Sequence, residues 1–520
     1  MRAIRSRREK PQGPSGPLLP GPRGWHGPGA GRSVYLQPAA EWRATSVQAC
    51  GLWPFSVGAG APLVGAPLGK HLLTGATVCG DPISWFQRAG LLTAPTAFVM
   101  GLQGFGKSSC IRRMALSLAG FGVLPLVLGD LKPDYVDLIA ALDGQVITLG
   151  RGRGYLNVLD INLAKAAAHR LGDGEHAKLG REVLADAVGR RHTMVSALIS
   201  IQRGHPPNDR EDSMLAAALR VLDERREGTP VLSDLLATIE SAPERVRVAA
   251  FDRGSIERYR ELVEPLQVTL QALLGEGRVG EMFSRRSTVA LDLDRPAVFD
   301  VSSIPEDETE LVGAALSACW GVGFGAVNVT HALAEAGLAP MRHYLIILDE
   351  LWRALIAGRG MVDRTNSLTR LNRQWGVGVV MCSHTIKDLL SLPDEHERMK
   401  ALGLIERSGM LICGALPPEE MPRLALAKDL SLAEQRQLIS WQDPPAWSSA
   451  ASNDAPPGRG NFMIKIGGRP GIPFRVTLTK AEQGLHDTNK LSHEQSRRGE
   501  LRQPTRHVAG AGAGAGAPKG

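Results

Sequence analysis

No two cysteines in this 520-residue chain are spaced Cys-x-x-Cys, and none has a companion histidine at a metal-ligand spacing. That pattern excludes a zinc ribbon and a disulfide scaffold. Cys50, Cys79, Cys110, Cys319, Cys382 and Cys413 are scattered, several inside apolar segments, and read as reduced, buried thiols of a cytoplasmic protein. Residues 1–33 lack any apolar block and are rich in Arg, Pro and Gly, so they read as a disordered basic segment rather than a signal peptide. One long stretch lacks charge instead: Leu311 to Ala334 holds no Asp, Glu, Lys or Arg and is long enough to span a bilayer. It contains Gly313, Gly321, Gly323, Gly325 and Asn328, however, and lies between two apolar strand-like segments, Ala297–Val301 and His343–Leu348. A right-handed crossover between parallel strands predicts a helix buried against the sheet. The net charge of +7, with basic residues concentrated at the ends, permits nucleic-acid contact without demanding it.

The strongest positive signal is Gly101-Leu102-Gln103-Gly104-Phe105-Gly106-Lys107-Ser108-Ser109, which fits G-x-x-x-x-G-K-[ST]. The apolar run Thr96–Met100 before it reads as a buried strand, and Cys110–Leu118 after it has helical spacing. The chemistry needs that order. Gly101, Gly104 and Gly106 let the backbone N–H groups of the loop, Gln103 and Phe105 included, curl around phosphates. The helix start adds its dipole through Ser108 and Ser109, Lys107 adds a point charge, and the Ser108 hydroxyl is a ligand for Mg²⁺. The chain is expected to bind a nucleoside triphosphate.

A second element must complete the magnesium site. Arg342-His343-Tyr344-Leu345-Ile346-Ile347-Leu348-Asp349-Glu350 carries four consecutive apolar residues ending in two acids and reads as a central parallel strand with its carboxylates at the C-terminal edge. Asp349 is expected to hold Mg²⁺ through a water and Glu350 to polarise the attacking water. No Asn-Lys-x-Asp guanine motif is present, since Asn489-Lys490-Leu491-Ser492 lacks the acid, so ATP is the expected nucleotide. A third strand, Trp375–Cys382, runs into Ser383 and His384, candidates for sensing the γ-phosphate. Arg370 and Arg373 precede that strand on a predicted helix and are candidates for arginine fingers reaching a neighbouring subunit.

In this order the motifs resemble the FtsK/HerA superfamily of ring ATPases, and within it the conjugation and type IV secretion branch. Gly129-Asp130-Leu131-Lys132-Pro133-Asp134-Tyr135 resembles the family's Asp-Pro-Lys-Gly-Glu-Tyr segment, and Tyr155-Leu156-Asn157-Val158-Leu159-Asp160 its Leu-Asn-Pro-Leu-Asp element. Leu348-Asp349-Glu350-Leu351-Trp352 resembles its Walker B, and Arg373-Gln374-Trp375-Gly376 its Arg-Lys-x-Gly element. Gly468-Arg469-Pro470-Gly471-Ile472-Pro473 resembles a late hairpin of the same group. His384 stands where the family has a sensor glutamine, and only about eighty residues precede Asp81 where secretion ATPases carry a large N-terminal domain.

The resemblance implies an α/β fold: a RecA-like P-loop core with a mostly parallel sheet flanked by helices, plus an inserted all-α subdomain. The expected layout is a disordered segment at 1–33 and a small β-rich lead-in at 34–82. The core then takes 83–160 and 281–480, the all-α insertion 161–280 and a flexible tail 481–520. The implied activity is ATP hydrolysis by a homo-hexameric motor using Mg²⁺ and no other metal, powering DNA or protein transfer. Membrane-bound transfer or secretion machinery would be its partner, at the inner face of the membrane. A stand-alone DNA translocase stays open, with Arg151-Gly152-Arg153-Gly154-Tyr155 as its candidate DNA loop, as does a non-hydrolysing nucleotide-gated scaffold. A phosphotransferase would need a lid signature that the helical block does not show.

Overall fold

A computed structural model describes residues 62–225, 228–275, 280–356, 362, 365, 377–392, 394–443 and 456–485. Arg370, Arg373, residues 1–33 and residues 486–520 lie outside the described residues. Residues 481–485, assigned from sequence to the tail, belong to a short helix, Lys480–Leu485, anchored by an ion pair from Arg113 to the buried Glu482.

In chain order the strands are β1 (Pro67–His71), β2 (Thr77–Cys79), β3 (Thr96–Met100), β4 (Val123–Asp130), β5 (Gln145–Thr148) and β6 (Ala297–Asp300). They continue with β7 (His343–Leu348), β8 (Gly378–Ser383), β9 (Met410–Cys413), β10 (Asn461–Lys465) and β11 (Ile472–Val476). All lie in one sheet of order β2-β1-β11-β10-β9-β3-β8-β7-β4-β6-β5. From β9 to β5 every pairing is parallel; the four strands beyond β9 pair antiparallel.

The central strands are apolar at nearly every position because both faces are covered. Phe98, Met100, Ile346, Leu348, Val379 and Met381 point to one core. Their chain neighbours Ala97, Val99, Leu345, Ile347, Val380 and Cys382 point to the other. The helix Lys107–Ala119 covers the second face through Cys110, Ile111, Met114, Ala115 and Leu118, residues spaced to share one side of a helix. The first face is covered by the long helix Thr309–Glu335, and helices placed between β5 and β6, from Ala177–Arg203 to Gly280–Phe283, pack into the same core, whereas Asn162–Leu171 packs on Ala177–Arg203 and Thr309–Glu335 in a separate small cluster.

The uncharged run of Leu311 to Ala334 therefore serves close packing. Thr309–Glu335 is by length and composition apolar enough to cross a membrane, yet most of it is buried inside the protein. Trp320 Nε1 donates to the Leu128 carbonyl on β4 at 2.9 Å, and a Cβ on Gly323 would lie 2.4 Å from a Leu128 methyl. The five described cysteines, Cys79, Cys110, Cys319, Cys382 and Cys413, are free and buried.

Register brings the chemistry together. Met100 pairs with Ser383, Leu348 with Met381, and Val127 with Ile347. Gly101, His384, the pair Asp349 and Glu350, and Asp130 thus all emerge at the same carboxyl edge of the sheet, where open α/β sheets place ligands.

Candidate nucleotide site

The loop after β3 needs its glycines. Gly101, Gly104 and Gly106 have φ of 154°, 82° and 95°, and a Cβ on Gly101 would press on Gly414 at 3.2 Å. The loop is tied to its neighbours through backbone bonds: Gly101 N–H to the His384 carbonyl at 3.0 Å, Leu102 N–H to Ala415 at 2.9 Å, and Gly460 N–H to Phe105 at 3.0 Å. Gly106 caps the helix with left-handed backbone and no side-chain hydrogen bond, so no side chain competes for the first-turn N–H groups. Gln103 and Gly104 are exposed, whereas Phe105, Ser108 and Ser109 are partly buried.

Lys107 is buried, and its Nζ donates to the carbonyls of Gly101 at 2.8 Å and Leu102 at 3.3 Å. Its third contact is His384 Nδ1 at 2.8 Å. Among the described residues it has no carboxylate partner, so its charge is left for an anion. An ammonium only donates, so Nδ1 must accept and Nε2 carries the imidazole proton. That Nε2 lies 3.1 Å from Glu350 Oε1. A continuous line of bonds therefore runs Lys107, His384, Glu350. It follows directly from strand order, because β8 lies between β3 and β7.

His384 is held by its own turn. Thr385 caps the helix Ile386–Leu390 in a reciprocal box with Asp388, and the buried Glu420 accepts from Ile386 N–H at 2.6 Å. Ser383, the other sensor candidate, makes no bond in this line; its hydroxyl is buried with no hydrogen-bond partner among the described residues.

Glu350 has left-handed backbone, φ 48°, a conformation that costs a non-glycine residue about 1 kcal/mol or more. Three donors surround its carboxylate: His384, Lys132 Nζ at 3.2 Å and Trp352 Nε1 at 2.8 Å. Burial pushes its pKa up, but the hydrogen bond from His384, the Lys132 charge and the Trp352 hydrogen bond outweigh it and hold the pKa below the usual carboxylate range. Asp349 accepts from the Glu350 N–H at 2.9 Å, and burial followed by the Glu350 charge raises its pKa. Opposite pKa shifts on two adjacent acids leave one anion poised and one acid in need of a cation.

These residues fit a triphosphate with Mg²⁺: a glycine cradle, a buried ammonium with no carboxylate partner among the described residues, and a carboxyl whose ionisation a cation would favour. One hydroxyl, Ser108, and one carboxylate, Asp349, suit Mg²⁺, which draws its remaining ligands from water and phosphate. Sequence reasoning did not assign roles to Lys132, Trp352 or Asp130. Lys132 follows β4, which pairs directly with β7, and Trp352 stands two residues after Glu350; the Gly129–Tyr135 segment was the available signal. Asp130 closes its own turn, accepting from Asp134 N–H at 3.0 Å and Tyr135 N–H at 2.7 Å. The Arg151–Tyr155 segment forms a tight turn in which Arg151 pairs with Glu308 and Arg285 covers the Tyr155 ring at 4.8 Å.

Fold and site together define a RecA-like P-loop core with an added antiparallel edge and helical insertion. The solved structure of VirB4 of Thermoanaerobacter pseudethanolicus is similar to it, with a TM-score of 0.57 and 18% identity over 82% of this chain and 99% of that one. The plasmid coupling protein TrwB in complex with ADP and Mg²⁺ aligns with a TM-score of 0.44 and 13% identity, over 79% of this chain and 90% of that one. No family model and no curated protein matches the chain.

Proposed function

We propose that the chain binds and hydrolyses ATP as the subunit of a ring motor that powers the transfer of DNA or protein. The observation that carries this reading is the line of bonds from Lys107 through His384 to Glu350 across three adjacent strand ends. Lys107 and the first-turn N–H groups would hold the β- and γ-phosphates, with Mg²⁺ between Ser108 and Asp349. The metal supplies charge neutralisation at the phosphates. Glu350, kept anionic by its donors, polarises the attacking water, and His384 reports from Lys107 to Glu350. The motif resemblance to conjugation and secretion ATPases and the fold likeness to VirB4 support a role in transfer at the cytoplasmic face of a membrane, with membrane contact made through partners. The covered ring of Tyr155 gives the stand-alone DNA translocase less support, because base stacking needs an open aromatic face.

Two variants test the proposal. Lys107→Ala removes the buried ammonium and should abolish tight ATP binding; wild-type affinity by equilibrium titration would overturn the phosphate assignment. Glu350→Gln keeps the shape and loses the charge. It should bind ATP normally and hydrolyse it about 10²- to 10⁴-fold more slowly, the range for a lost general base.

A further inference from the structure

We infer that Lys132 is a positioning residue for hydrolysis, one that fixes which oxygen of Glu350 meets the attacking water. The inference rests on the role proposed for Glu350. An ionised carboxylate offers about four lone-pair sites, two on each oxygen. His384 Nε2 and Lys132 Nζ both fall on Oε1, at 3.1 and 3.2 Å, and fill that oxygen from opposite sides. Trp352 Nε1 takes one site on Oε2 at 2.8 Å. Among the described residues the lone-pair site left open is on Oε2, and water polarisation is directed there.

Lys132 is delivered by a rigid turn. The Asp130 carboxylate accepts from Asp134 and Tyr135 N–H, so residues 130–135 form a closed loop with Lys132 and Pro133 near its apex. Arg112, buried on the helix that follows the glycine loop, donates to the Asp134 carbonyl and to the Leu485 carbonyl at 2.8 Å. The turn is thereby fastened to the helix that begins at Lys107. Because β4 lies beside β7, this turn sits on the flank of Glu350 opposite β8. The Lys132 side chain is 32% exposed and Glu350 only 9%, so solvent screens the pair only in part. Its consequence is orientation. Without Lys132, Oε1 is held by His384 alone, and the carboxylate can turn about its terminal bond toward His384 within the hold of Trp352 on Oε2.

The test compares Lys132→Ala, Lys132→Arg, Glu350→Gln and the Lys132→Ala/Glu350→Gln double variant. ATP hydrolysis is measured as kcat and KM, and urea-unfolding midpoints are measured without nucleotide. Lys132→Ala should lower kcat by about 10- to 100-fold, the scale set by small misplacement of a reacting group, with KM within about twofold. Lys132→Arg should recover most of the loss. The midpoint shift caused by Lys132→Ala should vanish in the Glu350→Gln background, which shows that the two side chains act on each other. A raised kcat would mean that Lys132 restrains Glu350, and a raised KM alone would make it a phosphate ligand; either overturns the inference. Loss of turnover in Glu350→Gln with none in Lys132→Ala removes only the inference. Wild-type turnover in Glu350→Gln removes the role of Glu350 and the inference with it.

Discussion

His384 stands where the ATPases that this sequence resembles carry a glutamine, and we propose that its bonding lets it take the same part. A neutral imidazole with its proton on Nε2 presents an acceptor and a donor separated by one carbon, as a glutamine amide does. The acceptor faces Lys107 and the donor faces Glu350. His384→Gln should therefore keep hydrolysis within a fewfold of wild type, whereas His384→Leu, which can do neither, should lose about 10²-fold or more. Equal activity in the leucine variant would remove His384 from the path. Asp130 supports a second prediction at this scale. Burial, offset in part by the Tyr135 N–H bond and reinforced by the Asp349 and Asp134 charges, raises its pKa to about 7. Its stabilising contribution is full below the unfolded-state pKa near 4 and is lost as pH rises through about 7, with a slope of roughly 1.4 kcal/mol for each step of one in pH. Asp130→Asn cannot ionise. The stability difference between wild type and this variant should fall between pH 4 and 7 and level off above, as read from urea midpoints across that range. Glu350 has the opposite slope in a lower window, its contribution lost as pH falls below about 4, so the two do not mask each other.

Elements differ in how far sequence alone reveals them. The glycine loop between Thr96–Met100 and a helix, and the apolar run His343–Leu348 ending in two acids, are readable because their signals are local and contiguous. The position of β8 between β3 and β7, which makes His384 the link, is a sheet-order fact that no local period encodes. The contact of Lys132 with Glu350 spans 218 residues, and the joining of β1 to β11 across the antiparallel edge is equally non-local. The long uncharged helix is a middle case: its composition fits membrane or core, and only Gly129 and Gly323 show how tightly it packs on β4. Gly129 has φ 116°, and a Cβ there would lie 2.2 Å from a methyl of Leu316 on that helix. Gly129→Ala combines forbidden backbone with overpacking and should destabilise by on the order of 3 kcal/mol. It also displaces the turn that carries Lys132, so hydrolysis should fall more than ATP affinity does. A variant as stable as wild type would show that helix and strand are more loosely packed than these distances require.

The whole molecule raises the question of what completes the site. Lys107, His384, Glu350 and Lys132 bond among themselves, and no arginine among the described residues bonds to any of them. Phosphoryl transfer spreads charge over the γ-phosphoryl oxygens, and an arginine supplied there accelerates the reaction by about 10³-fold or more. The proposed ring offers a source: Arg373, or Arg370 three residues earlier in the sequence, reaching in from the neighbouring subunit. Hydrolysis per subunit should then rise steeply with protein concentration as rings assemble. Arg373→Ala should bind ATP and assemble as wild type does, yet hydrolyse poorly. Mixing it with Glu350→Gln should restore part of the activity, because some interfaces then pair an intact Glu350 from one subunit with an intact arginine from the next. Neither variant alone can form such an interface, so the gain cannot come from residual activity of either. Turnover that is independent of concentration, with no gain on mixing, would place every catalytic group within one chain and make the protein a monomeric ATPase.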